Sequence, residues 1–163
     1  MRLTIETVRS FLRYDGVDED EALTIMLGAA IGWVERSTGI LMTSREVTQE
    51  TMFGPVMSLQ WGPYKAETLQ VQYLDASLAT QQFTDLVVQP SGRLVPASGW
   101  PRARVATLAY IAGHEDPSTV PMPLIHAACI YCSLADQSRG DISASGWQTL
   151  RNVLGDYWRP VIA

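Results

Sequence analysis

Apolar residues recur along this chain with two periods, and the change from one to the other marks out three stretches. From Thr4 to Leu12, the spacing of Ile5, Val8 and Leu12 predicts a short helix with one buried side, broken by Asp15-Gly16. Asp18 then has the character of an N-cap, with Glu21 three residues later completing a capping box. Behind that cap the pattern predicts a long helix, about Glu19–Ser37, stopped by Gly39. Its apolar positions cover more than one stripe: Ala22, Met26, Ala29/Ala30 and Trp33, and beside them Ile25, Leu27 and Val34. A face that wide predicts contacts on two sides, the core and a second subunit, with Met26, Ala30 and Trp33 as candidate subunit contacts.

The middle of the chain alternates instead. Leu69, Val71 and Tyr73 fall on one face and Gln70 and Gln72 on the other, which predicts a strand over Thr68–Leu74. Weaker strand patterns cover Glu46–Thr51, Phe83–Val88 and Val105–Ile111. Turn signals at Gly54-Pro55, Gly62-Pro63, Pro90-Ser91-Gly92 and Gly99-Trp100-Pro101 separate them, so a meander of antiparallel strands is expected.

Helical spacing returns after Pro121 and Pro123. The stretch Leu124–Asp136 is apolar on nearly every side, as a buried helix is. A polar loop, Gln137–Ser143, separates it from a last helix over about 145–159, for which Ser145 and Gln148 form a capping box and Arg159-Pro160 a stop. On it Trp147, Leu150, Val153, Leu154, Tyr157 and Trp158 repeat at helical intervals. The fold class read from this order is α+β, mainly α: a small helical bundle with an attached antiparallel β portion, in one domain over residues 1–163.

Composition narrows the class of function. Hydrophobic residues make up 47% of the 163 positions, enough for a real core. Twelve basic against seventeen acidic side chains leave a net charge of −5, which disfavours a dedicated nucleic-acid binder, whose affinity comes from Lys and Arg on phosphates. No run reaches the roughly 18 apolar residues of a membrane span. The opening segment, charged at Glu6, Arg9 and Arg13, lacks the apolar stretch of a signal peptide. The two cysteines, Cys129 and Cys132, are therefore expected to be thiols.

Candidate chemistry is sparse. His126, Cys129 and Cys132, with His114 upstream, supply atoms that zinc favours. On a helix, however, steps of three place His126 and Cys132 roughly 120° apart around the axis, beyond the easy reach of one tetrahedral ion. Packing of both cysteines as small hydrophobes accounts for them, and no metal, cofactor or catalytic residue is expected. The acidic run Asp18-Glu19-Asp20-Glu21 suits the first turn of a helix through the free N–H groups there and needs no cation. Phosphate loops, HExxH and nucleophile elbows are missing from the sequence. The aromatic area of Trp147, Tyr157 and Trp158 so close to the end of the sequence is an interface candidate, since aromatic anchors dominate interface energetics.

Four stretches, in order, resemble the head–tail connector (adaptor) proteins of long-tailed bacteriophages. The first comprises Val8-Arg-Ser-Phe-Leu12, the acidic turn Asp18–Glu21, Ala29-Ala30 and Glu35-Arg-Ser-Thr-Gly39. The second is Gly62-Pro63 followed by Leu69-x-Val71-x-Tyr73-x-Asp75. The third is Trp100-Pro101 with Tyr110-Ile-Ala-Gly113 and Val120-Pro121, and the fourth is Val153-Leu154-x-x-Tyr157-x-Arg159. The set spans nearly the whole chain, and its specificity lies in the order of the motifs.

The resemblance implies a non-enzymatic virion protein of the head–tail neck, assembled in the host cytoplasm. Its members form a ring, typically dodecameric, beneath the portal protein and present a surface to a stopper or tail-completion protein. DNA passes through the lumen without specific binding. Docking through the C-terminal segment would give Trp147, Leu150, Val153, Leu154, Tyr157, Trp158 and Arg159 a role as the portal or partner interface. The alternatives are another neck or tail-completion protein, or a metal/thiol enzyme using His126, Cys129 and Cys132.

Overall fold

The computed structural model describes residues 2–16, 20–55 and 57–159. The chain folds as two compact units: residues 1–42 with 114–163 form the first, and Thr43–Gly113 the second. The second unit is thus an insertion in the sequence of the first.

Unit 1 holds the four helices α1 (Ile5–Leu12), α2 (Asp20–Thr38), α3 (Met122–Ser138) and α4 (Ala144–Leu154). Thr4 caps α1, its hydroxyl accepting the Thr7 N–H at 3.3 Å. The helix stops at Arg13, which takes a left-handed φ of 62°, two residues before the expected break. The proposed Asp18 cap and Glu19 lie outside the described residues; Asp20 and Glu21 occupy the first turn of α2. At the other end Gly39, with φ 70°, stops α2 as its sequence predicts.

The interior stripe of α2 is Leu23, Leu27, Ala30 and Val34, all buried. It belongs to a core built with Val8 of α1, Leu124, Ile125, Ala128 and Cys132 of α3, and Leu154 of α4. α3 starts earlier than its apolar run, because Pro121 and Pro123 stand at its entrance, where a missing N–H costs nothing. α4 is capped by Ser143, whose hydroxyl accepts the Gly146 N–H at 3.2 Å, and not by the expected Ser145–Gln148 box. Gly146 makes this entry possible, since a Cβ there would meet Ile142 Cγ2 at 2.9 Å. Gly155 ends the helix, so Tyr157 and Trp158 sit on and just after a single 3-10 turn, Gly155–Tyr157.

Unit 2 holds six strands: β1 (Arg45–Met52), β2 (Gln70–Leu74), β3 (Thr80–Gln82), β4 (Leu86–Val88), β5 (Leu94–Pro96) and β6 (Val105–Ala112). The expected meander is corrected in its order, since the four-stranded sheet runs β1-β6-β2-β3. β1 and β6 pair over eight residues, from Arg45 opposite Ala112 to Met52 opposite Val105. The apolar alternation of β6 makes it the natural centre: Ala106, Leu108, Tyr110 and Ala112 are buried, as is Val71 of β2. The stretch Phe83–Val88, expected as one strand, is strand only over Leu86–Val88. Phe83 follows β3, its N–H donating to Val71 O at 2.8 Å, whereas β4 pairs with β5 in a separate hairpin.

Candidate functional surface

Every residue singled out near the end of the sequence is in unit 1, but the fold divides their work. Leu150 is buried in a smaller apolar cluster with Ala135 and Ile142, and Leu154 is buried in the main core. Val153, Tyr157 and Trp158 are half-buried against the same core, and Arg159 is exposed. The Arg159 N–H donates to Ser37 O at 2.9 Å, tying this segment to the end of α2. The Arg151 guanidinium lies over the Trp158 ring, 5.3 Å from its centroid.

Trp33 stands at the centre of an aromatic cluster. Its ring centroid is 5.9 Å from Tyr131, 5.6 Å from Trp147 and 6.2 Å from Trp158. Met26 is half-buried and packs against both apolar clusters of the unit, and Ala30 has no accessible surface. All three candidate subunit contacts thus serve packing within the unit. The apolar side chains of α2 that face outward are Ala22, Ile25 and Ala29, of which Ile25 is 68% exposed. Sequence periodicity marked these positions as apolar, but not which stripe faced the core.

The His–Cys constellation is split by burial. Cys129 and Cys132 are buried free thiols, whereas His126 is exposed and meets Phe11 edge-on, centroids 6.2 Å apart. Burial pushes the Cys132 thiol up to about 12 and raises Cys129 as well. His114 hydrogen-bonds Thr119 Oγ1 through Nδ1 at 2.8 Å, and burial lowers its pKa. Among the described residues no group of three or more His, Cys, Asp or Glu could hold a metal ion. A thiol that stays protonated is neither a strong nucleophile nor a ready metal ligand.

Two surface features escaped sequence reasoning. The first is an apolar groove of about 440 Å³ on unit 1, between Phe11 of α1, Met122, Pro123, His126 and Cys129 of α3, and Val153 of α4. Phe11 and Met122 remain 44% and 52% exposed along it. The second is the tip of the β2–β3 hairpin, where Leu78 is exposed at a left-handed φ of 63°. The Asp75 carboxylate builds that tip: Oδ1 accepts the N–H groups of Ser77 and Ala79 and the Ser77 hydroxyl, and Oδ2 accepts the Gln81 amide. These bonds, led by that of the Ser77 hydroxyl, lower its pKa to about 2.

No protein-family model matches the sequence, and no curated protein matches it. Similarity is found among solved structures. A chain in the neck of a native GTA particle, computed with C12 symmetry, aligns with a TM-score of 0.75 at 18% identity, over 99% of this chain and 91% of that one. A chain in the virion of a native gene transfer agent (GTA) particle aligns with a TM-score of 0.71, again at 18% identity, over 99% and 91%. A chain in the neck of an empty GTA particle, computed with C6 symmetry, gives 0.70 at 20% identity, over 93% and 89%. The chain therefore shares its fold, almost end to end, with chains of phage-like gene transfer agent particles, two of them solved in the particle's neck.

Proposed function

We propose that this chain is a structural protein of the head–tail neck of a phage or phage-like particle, and within it the adaptor that forms a ring beneath the portal. The observation that carries the reading is the fold correspondence over 99% of this chain with a neck chain solved under C12 symmetry. A correspondence of that extent embraces both units, so helical bundle and inserted sheet act together as one adaptor protomer. The order of sequence motifs supports the same reading independently of the coordinates.

In this role the chain works by shape. A ring of copies extends the DNA conduit, with the portal protein on one side and a stopper or tail-completion protein on the other. The docking surface proposed for the portal or partner is the accessible part of the C-terminal segment: Trp147, Val153, Tyr157, Trp158 and Arg159. Leu150 and Leu154 hold that surface in place from the core. Truncation after Gly146 would remove both core leucines, so the informative variant is Arg159→Glu, an exposed charge reversal that leaves the core intact.

Native mass measurement of this chain mixed with the portal ring of its particle tests the function. A discrete complex with many copies per portal is expected, weakened by Arg159→Glu. No complex between the two folded proteins would overturn the adaptor assignment. Binding to the tail tube in place of the portal would make the chain a tail-completion protein.

A further inference from the structure

Unit 1 carries two apolar features that none of its described residues covers. One is the outward ridge of α2. At about 100° per residue, Ala22, Ile25 and Ala29 lie roughly 140° around the axis from the stripe of Leu23, Leu27, Ala30 and Val34 that enters the core. The other is the groove of about 440 Å³ bordered by Phe11, Met122, Pro123 and Val153. The ridge belongs to the back of α2, and the groove to α1, α3 and α4. They therefore occupy separate parts of the unit's surface.

We infer that the ridge of one copy seats in the groove of the next, Ile25 entering between Phe11 and Met122, and that this head-to-tail contact closes the ring. The inference rests on the ring reading proposed above. A cyclic assembly of identical chains needs two different patches on each copy, one to give and one to receive. An isologous contact, in which one patch meets itself, would stop at a dimer. Ridge and groove satisfy the cyclic requirement with matched chemistry, an exposed branched aliphatic side chain against an almost wholly apolar cleft. Polar groups match too. Glu21 is exposed four residues before Ile25 and so on the same side of α2, and His126 is exposed at the groove, where its ring N–H suits a carboxylate. Burying an aliphatic anchor in a pocket and ringing it with a polar pair is the anatomy of an interface hot spot.

The choice of a second copy over another partner follows from finding both halves of the contact on one unit. A stopper, a portal or a small apolar ligand could use the groove, but none of them would need the ridge.

The test is the number of copies that the portal ring retains, measured by native mass for wild type, Ile25→Glu, Met122→Lys and the double variant. Both side chains are mostly exposed, so the single variants stay folded, which circular dichroism verifies. Each single variant is expected to lower the apparent affinity for assembly by roughly tenfold or more, since an unpaired charge is placed against an apolar surface. The double variant sets the new carboxylate of one copy against the new ammonium group of the next, and is expected to recover most of the loss. Single variants that assemble like wild type would overturn the inference and leave the ring reading standing, as would a double variant no better than the singles. A wild-type chain that never yields a multi-copy complex would overturn the ring reading and this contact together.

Discussion

The carboxylate of Glu35 accepts the main-chain N–H of Met42 at 2.9 Å, with both residues buried. This bond explains the motif Glu35-Arg-Ser-Thr-Gly39. Glu35 O accepts the Gly39 N–H at 2.8 Å, and the Thr38 hydroxyl donates to Val34 O while accepting the Ile40 N–H. The end of α2 and the loop behind it are thus pinned by side chains of the helix's own last turn. Glu35→Ala leaves a buried N–H without its acceptor and is expected to cost about 1–3 kcal/mol in denaturant unfolding. Glu35→Gln keeps an acceptor oxygen and is expected to cost less. Equal losses for the two would show that the hydrogen bond to Met42 is not the source.

Gly113 is the last residue of unit 2, and Thr43 the first. A Cβ on Gly113 would lie 2.3 Å from Thr43 O, and its φ of 109° is a conformation that L side chains rarely adopt. Gly113→Ala therefore forces the backbone to move and is expected to destabilise the chain by more than about 1–3 kcal/mol. Gly140→Ala serves as the control, with a similar φ of 91° and open space around the added carbon. A Gly113 variant no worse than its Gly140 counterpart would show that the close approach to Thr43 is unimportant.

The Asp75 carboxylate gives the β2–β3 hairpin a pH dependence. Its pKa is lowered from 3.8 to about 2 in the folded chain, so ionisation favours the folded tip. The stabilisation is fully present above about pH 4 and is lost as pH falls through about 2. Amide exchange at Ser77 and Ala79 should accelerate over that window relative to the intrinsic rate. Asp75→Asn should abolish the dependence and loosen the tip at neutral pH. An unchanged exchange profile in the Asn variant would remove Asp75 as the cause.

Both thiols should be silent in the native protein. Cys132 is fully buried with its pKa pushed up to about 12, and Cys129 is 3% exposed. A thiol reagent at pH 8 is expected to modify neither until denaturant is added, and then both. Fast labelling of one cysteine in the folded chain would revive the thiol-enzyme reading.

Duplex DNA should bind this protein negligibly. The chain carries twelve basic and seventeen acidic side chains, and phosphate contacts by Lys and Arg supply most non-specific affinity. Titration with duplex DNA at physiological salt is expected to show negligible binding. A salt-sensitive, sub-micromolar complex would contradict this.

Much of the architecture was legible because it is local. The period of Ile5, Val8 and Leu12, the stop at Gly39, the prolines before α3 and the alternation of Leu69 to Tyr73 are properties of neighbouring residues. Misreadings arose where two local signals competed. Ser143 just before α4 and Ser145 in its first turn both have the chemistry of a cap, and the crowding of Gly146 against Ile142 belongs to the Ser143-capped entry. Phe83–Val88 has a strand's composition throughout, yet its two ends have different partners, β2 for Phe83, whose N–H donates to Val71 O, and β5 for Leu86–Val88.

The amino-acid order alone determined that there would be helices at both ends, strands between them, no membrane-spanning run and no recognisable catalytic motif. Each of these is set by composition and by spacing within a few turns or a few strand residues. Tertiary structure decided which apolar stripe of α2 is the core face, because Trp33, Tyr131, Trp147 and Trp158 meet only when α2, α3, α4 and the segment after α4 are folded together. It also decided that β6 lies between β1 and β2, a pairing that joins residues as far apart as Arg45 and Ala112. Periodicity reports that a residue will be buried, but only the partner across the core determines against what, and that partner is chosen by contacts distant in sequence.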